Sequence, residues 1–200
     1  MVDSFLRLNR CKFLLLNELS TKSSVLMKFL KLLWVLFPMI YPLEYSPEDK
    51  AYTAYIFMGL ECPISQKYIP TLNEIADSQK DLKLIGVFSG AVTEEEVTAF
   101  KDQFGVVFDL EMDRHYKLAD TYKAQVTPEV FLVDAEGILR YSGAIDNWFV
   151  SLGRNRFQPS EFYLLEALTA LREGDQVDRE RTLPVGCFLE RNKAMSHEHH

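Results

Sequence analysis

The stretch GLECPISQKYIPTLNEIA, residues 59–76, joins the end of one structural element to the start of another. Before it, residues 51–59 are aromatic and β-branched enough to predict a buried strand. Within it, apolar residues recur at helical spacing, which predicts a helix beginning at Pro63, a residue suited to a first helical turn. Cys62 therefore stands at a helix N-terminus, where unsatisfied N–H groups and the helix dipole lower the pKa of a thiol. The stretch predicts a reactive cysteine between a strand and a helix.

The segment after this helix repeats the alternation of strand and helix. Residues 82–88 (LKLIGVF) predict a second buried strand. Thr93 lies three residues before Glu96, which is the spacing of a capping box, and the helix that it starts is expected to end at Gly105. A short strand is then predicted over residues 106–110.

The second half of the chain breaks this alternation. Asp113 is expected to cap a helix that runs through Tyr122. Residues 129–143 predict two strands joined by a turn. A last helix is expected to start at Ser160 as its cap and to stop at Gly174. The order of elements is that of an α/β domain ending in a hairpin and a helix.

Two segments resemble the thioredoxin-fold superfamily: residues 61–76 resemble its active-site segment, and residues 122–146 its cis-proline loop and terminal hairpin. The resemblance covers roughly residues 50–173. It implies an α/β, thioredoxin-like fold with a central mixed β-sheet flanked by helices, followed by a C-terminal extension. It also implies that Pro128 is the cis proline opposite the thiol, and that Thr127 and Pro128 present backbone to an extended substrate.

Within the superfamily the chain is most similar to the redoxin, or peroxiredoxin-like, branch of AhpC/TSA type. A subgroup of that branch carries CPI at the thiol, TPEV at the loop and GC near the end. The same letters stand here at residues 62–64, 127–130 and 186–187.

Three departures from the family patterns narrow the range of activities that the resemblance implies. Thioredoxins use C-x-x-C, but Ser65 stands where the second cysteine belongs, so Ser65 is either a hydrogen-bond donor to the Cys62 thiolate or a solvated residue. Peroxiredoxins carry a threonine three residues before the reactive cysteine, where this chain has Gly59, and peroxidase activity is therefore not favoured. Copper-delivering members need two cysteines separated by three residues, whereas CPISQ has one thiol.

Cys187 is the expected partner of Cys62, because Cys11 is lost if the chain is exported and begins at Met27. Three interpretations stay open. In the first, Cys62 attacks a substrate disulfide and Cys187 resolves the mixed disulfide. In the second, the two cysteines form a permanent bridge, worth about 5 kcal/mol at most. In the third, both are unpaired thiols.

The chain is expected to have three regions. Residues 1–45 form an N-terminal segment, residues 46–174 form the thioredoxin-like domain, and residues 175–200 form a C-terminal arm. The arm carries Cys187 and ends in a histidine-rich tail, SHEHH. We expect the arm to lie over the domain and to hold its cysteine at a specific place.

The N-terminal segment contains the outline of a signal peptide. Residues 27–40 have a basic start followed by a nine-residue apolar run, which is too short to span a membrane comfortably. We therefore expect export, either to the periplasm or with an uncleaved segment that holds the chain at the membrane, facing the periplasm or the exterior.

The charge distribution limits the partners. The formal net charge is −7, and the first 42 residues hold six Lys or Arg against two Asp or Glu, so the remainder is more acidic still. This argues against a nucleic-acid partner. We expect no cofactor and no bound metal, because a flexible histidine tail orders its ligands only at an entropic cost.

The sequence thus predicts an exported thiol–disulfide oxidoreductase that acts on protein thiols or disulfides, with Cys62 as nucleophile and Cys187 as resolving cysteine. Two alternatives remain: a thiol peroxidase, or a non-catalytic binding module with a structural disulfide between the two cysteines.

Overall fold

The computed structural model describes residues 52–189 and 191, which form nine strands and four helices. The strands are β1 (Tyr52–Met58), β2 (Leu82–Ser89), β3 (Asp109–Asp113), β4 (Val126–Thr127), β5 (Glu129–Val133), β6 (Leu139–Gly143), β7 (Phe149–Ser151), β8 (Arg154–Asn155) and β9 (Cys187–Phe188). The helices are α1 (Pro63–Ser78), α2 (Glu94–Phe104), α3 (Lys117–Tyr122) and α4 (Tyr163–Glu173).

The central sheet has five strands in the order β3-β2-β1-β5-β6. The pairs β1–β2 and β2–β3 are parallel, whereas β1–β5 and β5–β6 are antiparallel. Two small antiparallel pairs, β4–β9 and β7–β8, lie outside this sheet. The expected α/β fold with a central mixed sheet flanked by helices is confirmed.

Alternate residues of β1 face opposite sides of the sheet and enter two separate cores. Ala54, Ile56 and Met58 join the larger core, which includes the apolar faces of α1 and α4. Phe57 joins the smaller core and packs edge-to-face on Phe131, with ring centroids 5.4 Å apart. The central strand is therefore buried on both faces, which fixes where β1 ends and α1 begins.

Two predicted helices are confirmed in detail. α1 buries four residues at helical spacing, namely Ile64, Tyr68, Leu72 and Ile75. α2 has the reciprocal hydrogen bonds of a capping box between Thr93 and Glu96, and it ends at Gly105 with φ 63°. Both helices follow from local sequence signals.

The short strand predicted over residues 106–110 was wrong in position, because β3 spans Asp109–Asp113. The cause is a side chain of α1. The Asn73 amide donates to the Gly105 carbonyl at 2.8 Å, and its oxygen accepts from the Val107 amide at 3.1 Å. These two bonds hold the chain against α1, so pairing with β2 starts later.

The predicted cap at Asp113 was also wrong, because this residue ends β3 and α3 starts at Lys117. The Asp113 carboxylate still serves that helix, since it accepts hydrogen bonds from the Ala119 amide at 2.9 Å and from the Ser89 hydroxyl at 3.1 Å. It therefore ties the start of α3 to the end of β2.

The last helix starts later than the sequence predicts. Phe162, not Ser160, occupies the N-cap position of α4. Both the amide and the hydroxyl of Ser160 are bonded to the Asn147 side chain, at 2.9 and 3.0 Å. The predicted stop at Gly174 is confirmed, with φ 79°.

Several predictions fall outside the described residues: the N-terminal segment with its apolar run and Cys11, and the histidine tail at residues 197–200. Within the part of the chain that the structure describes, no helix is both long enough and apolar enough to cross a membrane.

Candidate thiol site

Cys62 is the N-cap residue of α1, directly after the turn that leaves β1. The residue is only 4% exposed. Its amide donates to the Gly59 carbonyl at 3.2 Å, and its Sγ donates to the Thr127 carbonyl at 3.1 Å. The thiol is therefore buried and faces the loop before β5.

The loop that faces Cys62 carries a cis peptide bond between Thr127 and Pro128, as the resemblance implies. Both residues are buried. The carboxylate of Glu129 accepts hydrogen bonds from the Gln125 amide at 2.8 Å and from the Val126 amide at 3.3 Å. A buried acid therefore fixes the backbone that leads into Thr127.

The C-terminal arm reaches the same loop. β9 pairs antiparallel with β4, so Cys187 lies opposite Thr127. The Thr127 hydroxyl donates to the Cys187 carbonyl at 3.5 Å, and the Leu189 amide donates to the Gln125 carbonyl at 2.8 Å. The Thr127 carbonyl thus contacts Cys62, and the strand pairing of Thr127 brings it against Cys187.

Both thiols are free, and each shifts the pKa of the other. Burial raises the pKa of Cys62, but hydrogen bonds from the Cys187 thiol and from Ser65 outweigh burial and lower that pKa from 9.0 to about 7. Donating this bond to Cys62, together with burial and the nearby negative charge, raises the pKa of Cys187 to about 11. When the pair of thiols loses its first proton, the negative charge therefore lies on Cys62.

Ser65 is fully buried in the first turn of α1 and is not solvated. Its hydroxyl oxygen accepts from the Gly59 amide at 3.3 Å, while both its hydroxyl and its amide serve Cys62 as donors. A serine at this position supplies hydrogen bonds to the thiolate where a C-x-x-C protein has a second sulfur.

Two glycines allow the close packing of this site. A Cβ on Gly59 would lie 3.0 Å from the Cys62 Cβ and 3.1 Å from the Thr127 hydroxyl oxygen, so a threonine there would force a shift. A Cβ on Gly186 would fall inside the van der Waals radius of the Thr127 carbonyl. β9 therefore lies against β4 only because residue 186 has no side chain.

The structure thus brings Cys62, Ser65, Thr127 and Cys187 together, with Pro128 next in the chain. Glu129 and Gly186 were missed as site residues. Their only signal was membership of the TPEV and GC motifs, since the carboxylate of Glu129 binds backbone amides and Gly186 acts by lacking a side chain, and no local pattern identifies either role.

A buried acid lies next to the cis-proline. The Tyr68 hydroxyl donates to the Asp146 carboxylate at 2.5 Å, and the Trp148 amide donates to the same oxygen at 2.8 Å. Burial raises the pKa of both Tyr68 and Asp146. Tyr68 and Asp146 line a small cavity together with Pro128 and Val185. The polar pair therefore lies beneath the cis-proline loop, on the side where the C-terminal arm passes.

Comparison with solved structures supports the fold. A hypothetical protein from Sinorhizobium meliloti 1021 is 24% identical, with a TM-score of 0.56, over 72% of this chain and 81% of that protein. An uncharacterized conserved protein from Geobacillus kaustophilus is 20% identical, with a TM-score of 0.57, over 73% of this chain and 80% of that protein. At these identities the likeness shows the fold alone.

No curated protein gives a significant match to the sequence. The sequence profile of the AhpC/TSA family matches residues 44–142, a range that contains Cys62, Ser65 and the Thr127–Pro128 loop. This match, the mixed sheet and the cis-proline loop make the chain similar to the AhpC/TSA family.

Proposed function

We propose that the protein is an exported thiol–disulfide oxidoreductase in which Cys62 is the nucleophile and Cys187 the resolving cysteine. Its partners are protein thiols or disulfides. The observation that carries the proposal is that two free thiols meet at one loop: Cys62 donates to the Thr127 carbonyl, and Cys187 lies opposite Thr127 in the β4–β9 pair. The interaction between them lowers the pKa of Cys62 to about 7 and raises that of Cys187 to about 11. A low pKa makes one thiol a thiolate at neutral pH, which is the form that attacks disulfides.

In the first step, the Cys62 thiolate attacks one sulfur of a substrate disulfide. The substrate S–S bond breaks, one substrate thiolate leaves, and Cys62 carries a mixed disulfide. In the second step, a Cys187 thiolate attacks the Cys62 sulfur and releases the second substrate thiolate. The substrate gains two electrons, and the protein ends with a Cys62–Cys187 disulfide.

The first step also prepares the second. The hydrogen bond to Cys62 is the largest cause of the raised pKa of Cys187, and the Cys62 charge adds to it. Both causes disappear when Cys62 is locked in a mixed disulfide, because that sulfur no longer carries a charge. The pKa of Cys187 then falls, which favours the resolving thiolate once a mixed disulfide is present.

Turnover needs a second thiol couple, either a dithiol protein or a small thiol, that reduces the Cys62–Cys187 disulfide. The same pair run in reverse oxidises two substrate thiols. Export is supported by the basic start and apolar run of residues 27–40. In such a compartment, disulfides form and persist.

Trapping with a fluorescent peptide disulfide tests the proposal. Replacing Cys187 with serine leaves Cys62 able to form a mixed disulfide but removes the thiol that resolves it, so a covalent adduct should accumulate. The matched Cys62→Ser protein should form no adduct. A Cys187→Ser protein that loses about 2 to 5 kcal/mol of stability and traps nothing would instead indicate a permanent structural bridge.

The residue at position 59 does not favour a peroxidase function. A threonine three residues before the cysteine, as peroxiredoxins have, would press on the Cys62 Cβ and the Thr127 hydroxyl.

A further inference from the structure

The C-terminal arm covers the buried thiol. Cys62 is 4% exposed, and β9 lies along the loop that its sulfur faces. A disulfide in another polypeptide is too bulky to reach a sulfur in that position. Exchange through Cys62 therefore requires β9 to move away from β4.

The arm is attached strongly on one side of β9. The Thr182 hydroxyl is bonded to the Tyr141 hydroxyl at 2.6 Å and accepts from the Ala144 amide at 2.9 Å, while its amide donates to the Ser142 carbonyl at 3.0 Å. A Cβ on Gly143 would overlap the Thr182 carbonyl, so the contact is close-packed. Residue 182 is therefore a firm attachment point at the end of β6.

The attachment on the other side is weak. Arg191 forms an ion pair with Asp120, but both side chains are about half exposed or more. Exposed ion pairs of this kind contribute about 0–1 kcal/mol. β9 itself is a two-residue strand, and Phe188 is 84% exposed. Release of this segment costs a few hydrogen bonds of about 1 kcal/mol each and the partial burial of Val185, Cys187 and Leu189 against the cores, which together is less than unfolding the domain.

We infer that residues 183–189 are a strap that closes over Cys62, is fixed at Thr182 and opens by leaving β4. The inference rests on the proposed function and adds its regulation. The closed strap keeps the Cys62 thiolate from external reactants and holds Cys187 in position to resolve. The open strap admits a polypeptide disulfide, and closing again brings Cys187 back to the mixed disulfide.

Gly186→Ala tests the strap, because a methyl group there cannot coexist with the Thr127 carbonyl and must displace β9. Alkylation of Cys62 by iodoacetamide is measured by peptide mass spectrometry at about pH 9.5, so that differences in the Cys62 pKa matter little. We expect the variant to react at least about tenfold faster than wild type. Leu183→Ala, which changes an 89% exposed side chain of the same segment, should react like wild type.

The same Gly186→Ala protein should form its intramolecular Cys62–Cys187 disulfide more slowly than wild type, because Cys187 is no longer held beside Cys62. This opposite change separates an open strap from a generally loosened domain. Equal alkylation rates in Gly186→Ala and wild type, with folding verified by circular dichroism, would overturn the strap.

Hydrogen exchange of the wild-type protein gives an answer even if Gly186→Ala fails to fold. The Leu189 amide, bonded to the Gln125 carbonyl, should exchange at least about tenfold faster than amides of β1 and β5. Exchange of the strap amides as slowly as those of the central sheet would overturn the inference. Neither alkylation nor hydrogen exchange measures thiol–disulfide exchange, so by these two readouts the strap and the proposed function fail independently.

Discussion

Thr127 lies opposite Cys187 in the antiparallel pair formed by β4 and β9, while its carbonyl accepts a hydrogen bond from the Cys62 thiol at 3.1 Å. One residue therefore sets the positions of two cysteines that are far apart in the sequence. Since β4 leads directly into β5, the site is attached to the central sheet through Pro128.

The pKa of Cys62 should depend on what stands at residue 187. Cys187→Ala removes a hydrogen-bond donor to the thiolate, so the pKa of Cys62 should rise from about 7 toward its ordinary value. The ultraviolet absorbance of the thiolate against pH measures this directly. Cys187→Ser keeps a hydroxyl donor and should lie between Cys187→Ala and wild type. If all three proteins titrate alike, the hydrogen-bonded pair is not what lowers the pKa.

Ser65 should be a second determinant of that pKa. Ser65→Ala removes the hydroxyl donor to Cys62, which raises the pKa of the thiol, and it also removes the acceptor of the Gly59 amide. Loss of that acceptor should cost about 1 kcal/mol in the free energy of unfolding. Ser78→Ala, an exposed serine at the other end of the same helix, is the matched control and should change neither quantity. An unchanged thiolate titration in Ser65→Ala would contradict this role.

The sequence alone could predict those parts of the fold that local signals determine. The capping residues Thr93 and Glu96 and the stop at Gly105 are examples, because each forms its hydrogen bonds within one helix. Helix starts that depend on distant side chains could not be predicted. Asn147 binds Ser160 and so delays α4, and nothing near residue 160 records that contact.

The same distinction holds for the site. Cys62 could be identified from its place before a helix, and Pro128 from its resemblance to a cis-proline loop. The pairing of Cys187 with Thr127 could not, because two-residue strands carry almost no periodic signal. The position of the arm was equally hidden, since it depends on a glycine, Gly186, that permits the arm to lie against the loop.

The buried pair Tyr68 and Asp146 gives a prediction with a defined pH dependence. Burial raises the pKa of Asp146, so the stability that this residue contributes is present at low pH and is lost as pH rises through its raised pKa. Tyr68→Phe removes a donor to the carboxylate and penalises the charged form further. Its destabilisation should therefore be larger at neutral pH, about 1.5 to 3 kcal/mol, than in acid.

Urea unfolding of wild type and Tyr68→Phe at both pH values measures this difference. Tyr163→Phe is a suitable control, because Tyr163 donates to the more exposed Glu161 and its loss should cost much less. Equal losses of stability for Tyr68→Phe in acid and at neutral pH would show that the Asp146 carboxyl does not gain a charge between the two pH values.

The equilibrium reduction potential of the Cys62–Cys187 pair tests the central claim most directly. The full-length protein is equilibrated in glutathione buffers of graded ratio, and the oxidised fraction is read by mass after alkylation. A reversible exchange pair should give a potential in the range of known exchange proteins, about −120 to −270 mV. A potential below about −300 mV would indicate a permanent structural bridge, and failure to form the disulfide at any ratio would contradict the pairing itself.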